Sequence, residues 1–104
     1  MADREKWEDL QEIFQNLFDG GHVYYQPPDG LMMRYPAIRF KKSDIEVDYA
    51  NNKMYTRKTR YEIIVIDTEP DNPVIEKLLN LQYCSYDRWY AADGLNHDVL
   101  TIYY

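Results

Sequence analysis

Tyr61-Glu62-Ile63-Ile64-Val65-Ile66 constrains this chain more than any other stretch. Side chains on a strand point to alternate faces, so a run of consecutive β-branched residues is fully buried only where both faces of a sheet are covered. The run therefore predicts a central strand. The segment before it, Asp44-Ile45-Glu46-Val47-Asp48-Tyr49, alternates polar and apolar without a fault and reads as a strand with one wet face. Between them Ala50-Asn51-Asn52-Lys53 is a hairpin signal, since Asn accepts positive φ more readily than most residues. The return strand runs from Met54 to Asp67.

The flanking segments complete the outline. From Trp7 at 100° per residue, Trp7, Leu10, Ile13, Phe14, Leu17 and Phe18 fall within an arc of about 140°, which predicts a helix docked by one face. Asp19-Gly20-Gly21 stops it, because a helix end commonly takes the left-handed conformation. A short segment, His22 to Tyr25, leads into an irregular loop at Gln26-Pro27-Pro28-Asp29-Gly30. Met33 to Phe40 reads as a further strand, with Pro36 favouring an edge or a strand start. Asp71-Asn72-Pro73 opens a short second helix that ends near Leu81. Two last strands, Tyr83 to Tyr90 and His97 to Tyr104, are joined through Asp93-Gly94. The expected fold is a single α+β domain over residues 1–104, with a mostly antiparallel sheet and two helices packed on one face.

Charge and length limit the function. The 104 residues suffice for one real core, and a formal net charge of −6 argues against grip on nucleic acid, which needs a surplus of Lys and Arg. No apolar run approaches the ~20 residues of a membrane span, and the charged start does not lead into a signal peptide. The reading is of a soluble, unsecreted protein. One cysteine, Cys84, excludes an internal disulfide and fits a reducing compartment.

The most enzyme-like pair is His97 beside Asp98. Neighbours on a strand point to opposite faces, so the two cannot form a dyad with each other. His97 would need a separate partner and a nucleophile such as Cys84 or Ser85. The plainer reading gives Asn96 and Asp98 local turn and strand-start hydrogen bonds and puts His97 on a sheet face. His22 and His97 show no metal-ligand spacing, and Gly20-Gly21 follows a helix instead of preceding one, the wrong side for anion binding. No catalytic, cofactor or metal residue is assigned.

Interface chemistry is better represented. Tyrosine supplies 11 of the 104 residues; it combines apolar area with a hydroxyl and suits surfaces buried against a partner, although it also simply fills strand positions. Lys53, Arg57, Lys58 and Arg60 place four of 12 basic residues within eight positions. Two readings are open: cross-strand pairing with Asp44, Glu46 and Asp48, or a basic arm reaching an acidic neighbour. If that neighbour is another copy, the contact is head-to-tail, and such contacts close into rings. The loop bearing Tyr24, Tyr25, Pro27, Pro28, Met32 and Met33 is a second candidate interface, unless it folds back over the sheet edge.

Taken together, YYQPP, MRYPAIRF, DIEVDYANNKMY, RYEIIVIDTEPDN and LNHDVLTIYY resemble the tail terminators, small tail-completion proteins of long-tailed bacteriophages, over about Val23 to Tyr104. The resemblance implies a homo-oligomeric ring, a hexamer, on the head-proximal end of the tail tube. Its partners would be the major tail tube protein and a neck or head-closure protein, its place the virion after assembly in the host cytoplasm. DNA would pass through without specific binding. Six copies at −6 would give a ring of −36, which repels DNA from the lumen wall. Two other readings stand beside it: a head-closure or adaptor protein of the neck, and a small enzyme or host-directed inhibitor.

Overall fold

The computed structural model describes the backbone of residues 5–50 and 53–104 and the side chains of residues 5–44 and 58–104. The elements run α1 (Lys6–Leu17), β1 (His22–Tyr25), β2 (Ala37–Ala50), β3 (Lys53–Asp67), α2 (Val74–Leu79), β4 (Cys84–Ala92) and β5 (Leu95–Tyr103). One five-stranded sheet has the order β1-β2-β3-β5-β4, antiparallel throughout except for the parallel pair β1 and β2. The fold is α+β as the sequence predicts, with β3 third of five.

Both helices cover the same face. Leu10, Phe14 and Phe18 of α1 and its end, with Val74 and Leu78 of α2, join Val23, Ile38, Phe40, Tyr61, Ile63, Val65, Leu100 and Ile102 in one core. A smaller cluster of Ile64, Ile66 and Val99 occupies the opposite face under Met33, Tyr90 and Leu95. The β-branched run is thus buried on both sides for different reasons: helices on one, a loop and an edge strand on the other.

Local chemistry sets the boundaries. A capping box joins Glu5 and Glu8 at the start of α1. After its end Gly20 takes φ +77, and a Cβ on Gly21 would lie 2.3 Å from the buried ring of Phe18, so that position has no room for a side chain. Asn72 Oδ1 accepts the Val74 N–H at 2.9 Å and opens α2. That helix ends two residues before the expected Leu81, which only donates a turn bond to the Leu78 carbonyl. Asp93 and Gly94, both at positive φ, turn β4 into β5, and the turn is tighter than expected, lengthening both strands.

Two expectations are corrected. Met33–Phe40 and Asp44–Tyr49 are not separate strands: β2 begins at Ala37, directly after Pro36, and runs unbroken to Ala50 with register shifts after Lys42 and Asp48. Met33 lies in the preceding loop, where its side chain packs on the second cluster. The expected turn at Asn51-Asn52 lies outside the described residues.

This geometry leaves an arm. Pairing of β3 with β5 ends at Arg60 and Tyr103, followed by reciprocal backbone bonds between Thr59 and Tyr104 at 3.0–3.1 Å. From Lys58 back to Lys53, β3 pairs with β2 alone among the described residues. At about 3.3 Å per residue the two-stranded ribbon projects roughly 20 Å from the body, within a longest dimension of 50 Å.

Candidate interaction surface

The residues singled out in the sequence divide between structural and exposed roles. Tyr25 is partly buried and packs against the core. Its ring stacks on Trp7 at 4.9 Å and 4° and packs on Phe40 at 4.8 Å, and burial, then Glu5, raises its pKa. Tyr24 staples the following loop, its hydroxyl accepting the Arg34 N–H at 3.1 Å. With Met33 this folds part of the loop back onto the sheet, while Leu31, Tyr35 and above all Met32, at 92% exposure, face outward. Pro27 and Pro28 line a shallow groove with Trp7, Gln11 and Leu31.

Of the basic cluster Lys53, Arg57, Lys58 and Arg60, the two residues with described side chains, Lys58 and Arg60, have partners in the chain. Lys58 Nζ lies 3.5 Å from the centre of the Tyr83 ring, a cation–π contact. Arg60 donates from Nε to Ser43 Oγ at 3.2 Å and lies 3.9 Å from Asp44, its register partner. The side chains of Lys53 and Arg57 lie outside the described residues. Charge still separates along the molecule: residues 39–62 hold seven basic and four acidic residues, net +3, so the remainder of the chain carries −9.

His97 and Asp98 are directed to opposite faces as expected. His97 stacks on Tyr90 at 4.6 Å on the face away from the helices, whereas Asp98 is on the helix-bearing face and accepts the Tyr86 hydroxyl at 2.7 Å. Cys84 pairs with Ile102, a core residue, and so shares the face opposite His97. Burial pushes its thiol up to about 11, away from thiolate. The plainer expectation for Asn96 and Asp98 is corrected: their hydrogen bonds are cross-strand and long-range. Trp89 Nε1 donates to Asn96 Oδ1 at 3.1 Å, and Asn96 Nδ2 donates to the Thr68 carbonyl at 3.2 Å.

These bonds outline a patch that sequence reading missed. Residues 86 and 89 of a regular strand would point to opposite faces. The register shift between Tyr86 and Arg88 adds one residue to β4, so Tyr86 opposes Leu100 and Trp89 opposes Asp98, and both rings emerge on the helix-bearing side. Helix α2 does not cover them: Tyr86 is 45% and Trp89 55% exposed. The 67–72 loop borders the patch, held by Asn96 on Thr68 and by Asn72 Nδ2 donating to Asp67 Oδ2 at 2.7 Å. It leaves Glu69 and Asp71 exposed. The hydrogen bond to Asp98, then burial, then the charges of Asp98 and Asp71 push the Tyr86 hydroxyl up to about 12. The only advance signal was Tyr83-Cys84-Ser85-Tyr86-Asp87-Arg88-Trp89-Tyr90, a segment too aromatic for one wet face.

Tyr86→Phe is expected to cost about 1–3 kcal/mol, because Asp98, only 9% exposed, loses its donor. A group whose folded pKa is raised stabilises fully below its ordinary value and loses that contribution as pH climbs through the folded one. Stability should therefore decline between about pH 10 and about 12, with the partly buried Tyr25 and the buried Tyr61 acting in the same direction. Urea midpoints across this range should fall less steeply in the Phe variant; parallel curves would contradict the assignment.

Among the described residues no helix is long and apolar enough to cross a membrane. Comparison of the sequence with known protein families and with curated proteins finds no match.

Proposed function

We propose that the chain is a structural assembly protein: a tail-completion subunit that forms a ring, of six copies, on the head-proximal end of a bacteriophage tail tube and offers a docking surface to the neck. The observation that carries this reading is the projecting arm. A two-stranded ribbon is at best marginally stable in water, and from Lys58 back to Lys53 β3 has no strand partner but β2 among the described residues. An arm of this kind is stabilised by a neighbour that covers it. Charge supports another copy of the same chain as that neighbour: ribbon residues 45–58 hold three basic and two acidic residues, net +1, within a stretch 39–62 of net +3 on a chain otherwise at −9. Contact between two different patches of identical subunits that is not reciprocated within a pair is head-to-tail, and it forms a ring when its rotation closes. The acidic remainder suits a lumen through which DNA slides without binding.

Native mass over a concentration series tests the reading. A discrete species at six times 12.6 kDa is expected, with retention of the protein on purified tail tubes. Retention by neck components and not by tubes would favour the adaptor reading. A monomer at every concentration that also ignores tubes would overturn the assembly role.

A further inference from the structure

We propose that the β4–β5 patch formed by Tyr86, Trp89, Asn96 and Asp98, with Glu69 and Asp71 on the bordering loop, is the socket that receives the arm of a second copy. This rests on the ring reading above and names the surface it uses. The patch combines what a cationic strand requires. Two half-exposed rings offer π faces for a guanidinium or ammonium group. Their polar ends are already satisfied, the Tyr86 hydroxyl by Asp98 and the Trp89 N–H by Asn96, so neither ring must give up a bond to bind. Both side chains are thereby held in place before the partner arrives, which lowers the ordering cost of association.

The occupant follows from charge and shape. Glu69, Asp71 and Asp98 make the socket acidic, and the arm strand 53–58 holds three basic residues and no acidic one. Beside the socket, β4 is the outer strand of the sheet and among the described residues pairs only with β5, so its other edge can take a further strand. Asp87 and Arg88 pair with each other at 2.6 Å on that strand, leaving the aromatic rings as its main offering to a partner.

Trp89 reports on its own burial. In a Trp7→Phe background, which keeps an aromatic ring against Tyr25, all tryptophan emission comes from Trp89. The emission is expected to shift to shorter wavelength over the same concentration range in which native mass rises. Trp89→Ala, at an exposed position, should remain folded by circular dichroism and assemble at least tenfold more weakly. A protein that assembles while Trp89 emission stays fixed and Trp89→Ala assembles equally well would overturn the socket and leave the ring. A protein that never assembles would overturn both. The emission measurement needs no change at the socket itself, so it decides the matter even if Trp89→Ala fails to fold.

Discussion

Phe14→Ala is expected to remove about 3–5 kcal/mol of stability, a large part of the 5–15 kcal/mol typical of a domain. Phe14 has no exposed surface, and its ring meets Phe40 edge-on at 5.0 Å and 88°. It lies on α1 between Leu10 and Phe18, all three in the core shared with α2 and the sheet. Removing the ring opens a cavity where three elements converge, so no single side chain can swing in to fill it. Urea unfolding at low protein concentration checks this, because assembly would itself add stability by mass action. The midpoint should fall with the slope unchanged. A loss under about 1 kcal/mol would mean that α1 redocks without its largest buried side chain, and that the helix is a looser cover than its packing implies.

Where burial generated the pattern, the sequence was legible. The arc from Trp7 to Phe18 predicted the docked face of α1, and the run Ile63 to Ile66 predicted a central strand, because hydrophobic periodicity records which face is covered. Pro36 correctly marked a strand boundary. Its strand, however, continues into Asp44–Tyr49 as one element, since backbone pairing with β3 runs through Lys41 and Lys42 and resumes at Asp44 past the irregularity at Ser43, where periodicity falters. The parallel pairing of β1 with β2 had no local signature; it depends on the 26–36 loop crossing back, which Tyr24 and Met33 secure through long-range contacts.

Among candidate interface residues, the sequence could name types but not faces. Tyr24, Tyr25 and Met33 have the composition of an interface and do structural work; Trp89 and Tyr86 are exposed and were overlooked. The reason is the extra residue in β4. One inserted position reverses the face of every later side chain on that strand, and a bulge is set by the partner strand's register, not by local propensity. In the basic cluster, Lys58 and Arg60 have partners on Tyr83, Ser43 and Asp44, so cross-strand pairing accounts for part of the charge density that drew notice. Those contacts are largely exposed and weak, and they leave the arm's overall sign intact.

Reversing Arg57 and Arg60 to Glu is expected to weaken self-association by roughly tenfold or more, about 1.4 kcal/mol or more at each contact, while the monomer stays folded. The two changes shift residues 39–62 from +3 to −1, turning attraction to an acidic neighbour into mild repulsion. A ring multiplies the effect, since every subunit contributes one arm and receives another. The two positions also separate cause from side effect. Arg60 registers with Asp44, so Arg60→Glu sets like charges opposite each other and loosens the ribbon itself. Arg57 registers with Val47, and Arg57→Glu creates no such directly opposed pair. If charge on the arm drives assembly, Arg57→Glu alone should raise the concentration at which the ring forms, and the wild type should show the same loss on moving from low to ~1 M salt, where the Debye length falls to about 3 Å. If only the double variant dissociates and salt has no effect, the arm acts through its shape and backbone pairing. Rings that form unchanged in every variant would rule out the arm's charge as the basis of assembly.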